Sequence, residues 1–111
     1  MPGLAVIADD LTGAMDTGLQ FSKRGLDALV SMSWRRLPHA EVVVIDTDTR
    51  DAPASVARER LLTVARLLKG RIIYKKVDST MRGNVGHELR ALGEALRPRC
   101  IVVAPAYPAG G

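Results

Sequence analysis

Only one cysteine, Cys100, occurs in the 111 residues, so neither an internal disulfide nor a cysteine-built metal site is possible. Cys100 opens an apolar run, which suits a buried, inert thiol in a reducing cytoplasm. Aromatic residues make up 4% of the chain, so the core must be aliphatic and there is little on which to stack bases. No apolar run approaches the roughly 20 residues that span a bilayer. The N-terminus, MPGLAVIADD, has no basic n-region and meets two acids too soon for a signal peptide. Glycine-rich nucleotide loops are missing as well. There is no G-x-x-x-x-G-K-[ST], and ADDLTGA has one glycine where G-x-G-x-x-G needs three. The net charge is +4, but lysines and arginines are scattered from Lys23 to Arg99. A scattered surplus does not make a nucleic-acid stripe. A small anionic ligand explains it equally well.

What remains is ordinary for one soluble domain: 47% apolar and 25% charged residues. Short apolar runs recur at residues 4–8, 27–32, 41–46, 71–77 and 100–104. Their length and their Val and Ile content suit strands buried on both faces. Helical patterns lie between most of them. Ala57, Leu61, Val64, Ala65 and Leu68 form one stripe of a helix, with Asp51 and Pro53 as start signals and Gly70 as a stop. Val85, Leu89, Leu92 and Leu96 form another, ended by Pro98. A further helix is expected over 12–24, with Thr12 as N-cap and Gly25 just past its end. Residues 33–40 read as a loop or a single turn.

Strands alternating with helices predict an α/β fold: a Rossmann-like three-layer domain with a mostly parallel sheet of about five strands. Such sheets bind ligands beyond the carboxyl ends of their strands. Four of the five loops at that end are rich in polar or turn-forming residues: ADDLTGAMD, DTDTRD, KKVDSTMRGNVG and APAYPAGG. In the third, Ser79, Thr80, Gly83 and Asn84 let the backbone wrap an anion at a helix N-terminus. Lys75, Lys76 and Arg82 add full charges. Asp9, Asp10, Asp46, Asp48 and Asp78 can accept hydrogen bonds from hydroxyls, take a proton or hold a metal. A hydroxy acid satisfies both sets. Taken singly, each Ser, Thr or Asp before a helix is more often a cap. His87 on a helix reads as a surface residue. The functional case rests on several loops meeting at one edge.

Those same motifs, IADDLTGAMDTG (7–18), DTDTR (46–50), KKVDSTMRGNVGHEL (75–89) and APAYP (104–108), resemble the four-carbon acid sugar kinase family in order and spacing. The resemblance runs from near residue 4 to the end. It implies that residues 1–111 are the N-terminal part of a sugar-acid-binding domain, incomplete relative to the family domain. A C-terminal nucleotide-binding domain would be the missing partner. ATP and Mg2+ would serve the full-length enzyme and neither would serve this stretch alone. The implied substrate is a small anionic sugar acid of the threonate, erythronate or 3-oxo-tetronate type. The expected partners include further copies of the chain, and neither nucleic acid nor membrane.

The resemblance also implies roles for residues. Asp9 and Asp10 would orient the sugar hydroxyls, and one would act as the base. Arg50 and Arg82, with the Ser79–Thr80 backbone, would take the carboxylate. Thr12, Asp46, Lys75, Asp78 and Gly83 complete the expected substrate site, and no metal ligand is expected. The rival interpretation is a signalling receiver domain phosphorylated on Asp46, with Asp9 and Asp10 as its acidic pair. It fails to supply a lysine after the fifth strand and leaves DTDTR and DSTMRG without a purpose.

Overall fold

The computed structural model describes residues 3–32, 39–78 and 80–98. The fifth apolar run at 100–104, the loop at 33–38, Ser79 and Cys100 lie outside the described residues.

Four strands and three helices are described, in the order β1 (Leu4–Ala8), α1 (Leu11–Lys23), β2 (Ala28–Ser31), β3 (Val42–Asp46), α2 (Ala54–Leu67), β4 (Ile72–Lys76) and α3 (Val85–Leu96). All pairings are parallel and the strand order is β2-β3-β1-β4. The predicted α/β fold with a parallel sheet is therefore observed. A receiver domain orders its strands 2-1-3-4-5. Here β3 lies between β2 and β1, so the receiver interpretation fails on topology.

The sheet has a helix layer on each side. On one face Ala5, Ile7, Val43 and Ile45 pack with Leu61, Val64, Ala65 and Leu68 of the α2 region and with Ala91 and Leu92 of α3. On the other, Val6, Ala8, Val42 and Val44 pack with Ala14 of α1, flanked by Phe21. Alternate residues of one strand thus serve two cores, as a two-residue period requires. Each fully buried Val, Leu or Ile contributes about 1.5–3 kcal/mol.

Of the described strands, only β1 and β3 are buried on both faces. β2 and β4 flank them, so Leu29, Val30, Ile72 and Tyr74 are exposed. The expectation of uniform burial was too broad: among the described residues β2 and β4 each have one strand neighbour, and less cover than β1 and β3.

The α2 stripe is buried as expected, and Gly70 takes the positive φ of 86° that the turn after it requires. The α1 cap differs from expectation. Asp10, one turn ahead, accepts the Gly13 N–H at 2.9 Å, and Thr12 is already helical. The acceptor must sit before the first helical residue, and Asp10 does. Gly25, with φ of 82°, lies just past the helix as expected. In α3 the buried face is rotated from the apolar stripe. Val85 and Leu92 are buried, but Leu89 and Leu96 are only half-buried. Glu88 and Ala91 occupy the inner face instead. A buried charge displaced the simple pattern because it has partners there.

Candidate anion-binding site at the carboxyl end of the sheet

β3, β1 and β4 are neighbours, so the loops that follow them emerge side by side. The backbone joins two of them directly: Thr49 and Arg50 donate their N–H groups to the Asp9 carbonyl at 3.0 and 3.1 Å. Asn84 fastens the third loop to the second. Its amide donates to the carbonyls of Thr49 (2.9 Å) and Ala52 (2.8 Å). Asn84 precedes α3 but makes no side-chain cap there. The first turn of α2 likewise has no side-chain cap, since its N-cap is Pro53.

Arg50 sits where the three loops meet. Its guanidinium lies 3.1 Å from Asp9 Oδ1, 2.9 Å from Asp10 Oδ2 and 3.6 Å from Asp78 Oδ1. One carboxylate comes from the β1 strand end, one from the α1 cap and one from the β4 loop. Burial alone would lower the Arg50 pKa. Hydrogen bonding to Asp9 and the charges of all three acids outweigh it and leave the pKa raised. Asp9 is nearly buried at 3% side-chain exposure, whereas Asp10 retains 29%.

Arg82 is held differently. Its Nε and Nη2 grip Asp78 at 3.0 and 2.7 Å within a single loop, and the side chain is 69% exposed. Asp78 also accepts from the Thr80 N–H and hydroxyl. Arg82 first, then Thr80, holds the Asp78 carboxyl well below the usual carboxylate range.

Gly83 closes the loop onto this cluster with φ of 95°. A Cβ there would stand 2.6 Å from Asp9 Oδ2 and 3.4 Å from Arg50 Cα. Only glycine allows both the conformation and the approach. Above the cluster lies a groove of about 870 Å³, lined among others by Asp9, Asp10, Arg50, Arg60, Arg82 and Gly83.

Of the expected site residues, Asp9, Asp10, Arg50, Arg82 and Gly83 thus meet at one groove, with Asp78 joined to both arginines. Thr12 is exposed on the first turn of α1 and Thr80 is exposed beside Asp78. Asp46 is buried and accepts the Asp48 N–H at 2.8 Å; burial raises its pKa against that bond. Lys75 lies below the groove, with Nζ 3.2 Å from Glu88 Oε1 and donating to the Lys76 carbonyl at 3.1 Å. Lys76, on the other face of β4, donates to the Val77 carbonyl at 2.7 Å. Glu88 and Thr47 were not picked out by sequence reasoning as site residues, and Asn84 was named only for its loop's backbone, not for its side chain. An acid on the apolar face of a helix, opposite a lysine in an apolar strand, was the available signal for Glu88.

The family described as the sugar-binding N-terminal domain matches residues 4–111. The chain belongs to that family. A D-threonate kinase of Salmonella typhimurium is 39% identical over 114 residues, covering 97% of this chain and 27% of that protein. A D-erythronate kinase of Heliobacterium modesticaldum is 33% identical over 120 residues, covering 100% and 27%. The chain therefore spans about a quarter of the length of these relatives. A crystal structure from Bordetella bronchiseptica, described as a domain of unknown function with bound citrate and as a domain-swapped dimer, superposes with a TM-score of 0.75. It is 32% identical and covers 85% of this chain and 26% of that one. As a sugar-binding N-terminal domain, the chain carries its charged cluster on the loops at the carboxyl end of the sheet, where such folds take ligands.

Proposed function

We propose that this chain is the sugar-acid-binding part of an ATP-dependent kinase that phosphorylates a hydroxyl of a four-carbon sugar acid, of the threonate, erythronate or 3-oxo-tetronate type. The observation that carries this proposal is the meeting of Arg50, Arg82, Asp9 and Asp10, from three loops, at one groove, with Asp78 joined to both arginines. Cations for a carboxylate and acceptors for hydroxyls are the groups a sugar acid needs. The kinase relatives, and a similar structure with bound citrate (itself a hydroxylated carboxylate), support the same chemistry.

Within the site the two arginines divide the work. Arg82 is exposed and carries donors beyond those spent on Asp78, so it is the group that takes the substrate carboxylate through paired hydrogen bonds. Arg50 is enclosed by acids and fixes where Asp9 and Asp10 stand. Asp10 is the better choice to accept the reacting hydroxyl, since it is the more exposed of the pair. Phosphoryl transfer depends mainly on positioning and charge neutralisation, and this chain supplies the acceptor side of both.

Among the described residues, the acids of the cluster, Asp9, Asp10 and Asp78, are committed to an arginine rather than left open for Mg2+. Among the described residues no group of three or more His, Cys, Asp or Glu side chains could hold a metal ion. In this proposal ATP and Mg2+ are held by a nucleotide-binding domain that partners this one. ADP release by the 111 residues alone, with ATP, Mg2+ and a panel of four-carbon sugar acids, is expected to stay at background. Turnover well above it would refute this division.

Leu11, Met15 and Leu19 form an exposed stripe on α1. Ile72 and Tyr74 are exposed on β4, in register with Leu4 and Val6 of the face that α1 covers. Uncovered apolar surface drives association, so the isolated chain should self-associate. Sedimentation at low concentration showing a stable monomer would count against this. No described helix is long and apolar enough to cross a membrane, and an ATP-using enzyme of this kind belongs in the cytoplasm.

A further inference from the structure

Beneath the groove lies a polar network that none of the roles above uses. Thr47, Thr49 and Glu88 are all fully buried. The Thr47 hydroxyl stands 3.1 Å from the Ala8 carbonyl and 2.8 Å from the Thr49 hydroxyl, which donates to Glu88 Oε2 at 3.1 Å. Lys75 Nζ lies 3.2 Å from the other carboxylate oxygen and makes a buried ion pair with it. The network therefore touches the end of β1, the loop after β3, β4 and α3. These are the elements that carry Asp9, Arg50, Asp78 and Gly83.

A buried carboxylate is costly unless it is paired and hydrogen-bonded. Apolar residues of similar size would fill the same space at less cost. The informative point is which groups Glu88 fixes. Thr49 is the residue before Arg50, and its backbone N–H, like that of Arg50, is bonded to the Asp9 carbonyl. Asn84, one turn ahead of Glu88 in sequence, holds the Thr49 carbonyl. Thr49 is thus tied through its side chain, its N–H and its carbonyl, and Arg50 follows from it.

We propose that Glu88 is a positioning residue which, through Thr49, sets the place of the Arg50 guanidinium among its three acids. Its consequence for ligand binding rests on the sugar-acid assignment above; its consequence for Arg50 does not.

The test uses the full-length protein and two readouts. The first is ligand-free: exchange of the Arg50 guanidinium N–H with water, followed by NMR. Thr49→Val keeps the shape and removes the hydroxyl, so it should speed that exchange about tenfold, the loss of one hydrogen bond to a charged group. Glu88→Gln, which still accepts from Thr49, should hold Arg50 better than Glu88→Ala. Leu61→Val, a core change of similar cost, should leave Arg50 exchange unaltered. Equal exchange in Thr49→Val and the native protein, or an equal rise in Leu61→Val, overturns the proposal. Thr49→Val remains available if Glu88→Ala fails to fold.

The second readout is calorimetric titration with D-threonate. Thr49→Val should weaken binding several-fold in the native background and hardly at all in an Arg50→Lys background, since the two changes act through one group. Equal losses in both backgrounds also overturn the proposal. Failure of the native protein to bind any four-carbon sugar acid would instead refute the functional assignment, and the exchange measurement would still decide the role of Glu88.

Discussion

Arg50 and Arg82 are both arginines in loops at the carboxyl end of the sheet, and both pair with Asp78. Their surroundings differ in every other respect. Arg50 is 18% exposed and is held by three acids from two separate segments, the adjacent Asp9 and Asp10 and the distant Asp78. Arg82 is 69% exposed and is held by one acid four residues away. An ion pair that joins distant segments in a dry setting constrains the fold. One that stays within a loop and faces water adds little to stability, and leaves its charge available to a ligand. In the proposed function the same residue type serves as a fastening at one position and as a ligand contact at the other.

Substitution at Arg50 should have the largest effect. Arg50→Ala leaves the largely buried Asp9 and its neighbour Asp10 crowded together without their cation, while Asp78 keeps Arg82. We expect a loss of about 3 kcal/mol in denaturant unfolding. Arg50→Lys should recover only part, because an ammonium cannot reach three acids in a fork. Near-native stability in Arg50→Ala would remove the contrast with Arg82.

Gly83→Ala tests the same cluster from the opposite side. The positive φ and the contacts with Asp9 and the Arg50 backbone should together cost about 2 kcal/mol. A free energy of unfolding equal to the native value would show that the loop gives way easily.

Arg82→Ala should leave stability within about 1 kcal/mol of native, because Arg82 is largely exposed and Asp78 keeps Thr80 and Arg50 as partners. Sugar-acid affinity should fall roughly tenfold to a hundredfold, the value of a charge-assisted hydrogen bond. Arg82→Lys should recover part of it. Lost folding in Arg82→Ala would make the two arginines alike.

The smallest effect is in the pH dependence. Asp78 has a depressed pKa in the folded state, so its contribution is present above its ordinary value of 3.8 and is lost as pH falls below it. Glu88 is shifted the other way, raised by burial despite Lys75. Its contribution is present below 4.5 and declines as pH rises from there to the folded pKa. Unfolding curves across this range should show Asp78→Asn flattening the loss of stability on the acid side and Glu88→Gln flattening the decline above 4.5. Unchanged slopes in both would contradict the assigned surroundings.

The sequence made the layout of this site legible and left its internal bonding hidden. Alternating apolar runs and helical stripes were enough to place Asp9, Arg50 and Arg82 at one edge, because parallel βα units send every such loop the same way. Pattern alone could not show that Asp10 caps α1, since Thr12 is an equally good cap by type. Nor could it show that Lys75 turns down to Glu88 while Lys76 goes to the other face. That choice depends on which side of β4 faces α3. Glu88 itself broke the α3 stripe because a paired charge can occupy an inner position that periodicity reserves for apolar residues.

The central claim is that Arg82 is the contact for the substrate carboxylate. Calorimetric titration with D-threonate and with threitol, its counterpart lacking the carboxylate, addresses it directly. The native protein should prefer threonate by at least about tenfold, and Arg82→Ala should bind the two with nearly equal, weak affinity. Retention of the full preference in a folded Arg82→Ala protein would contradict the account.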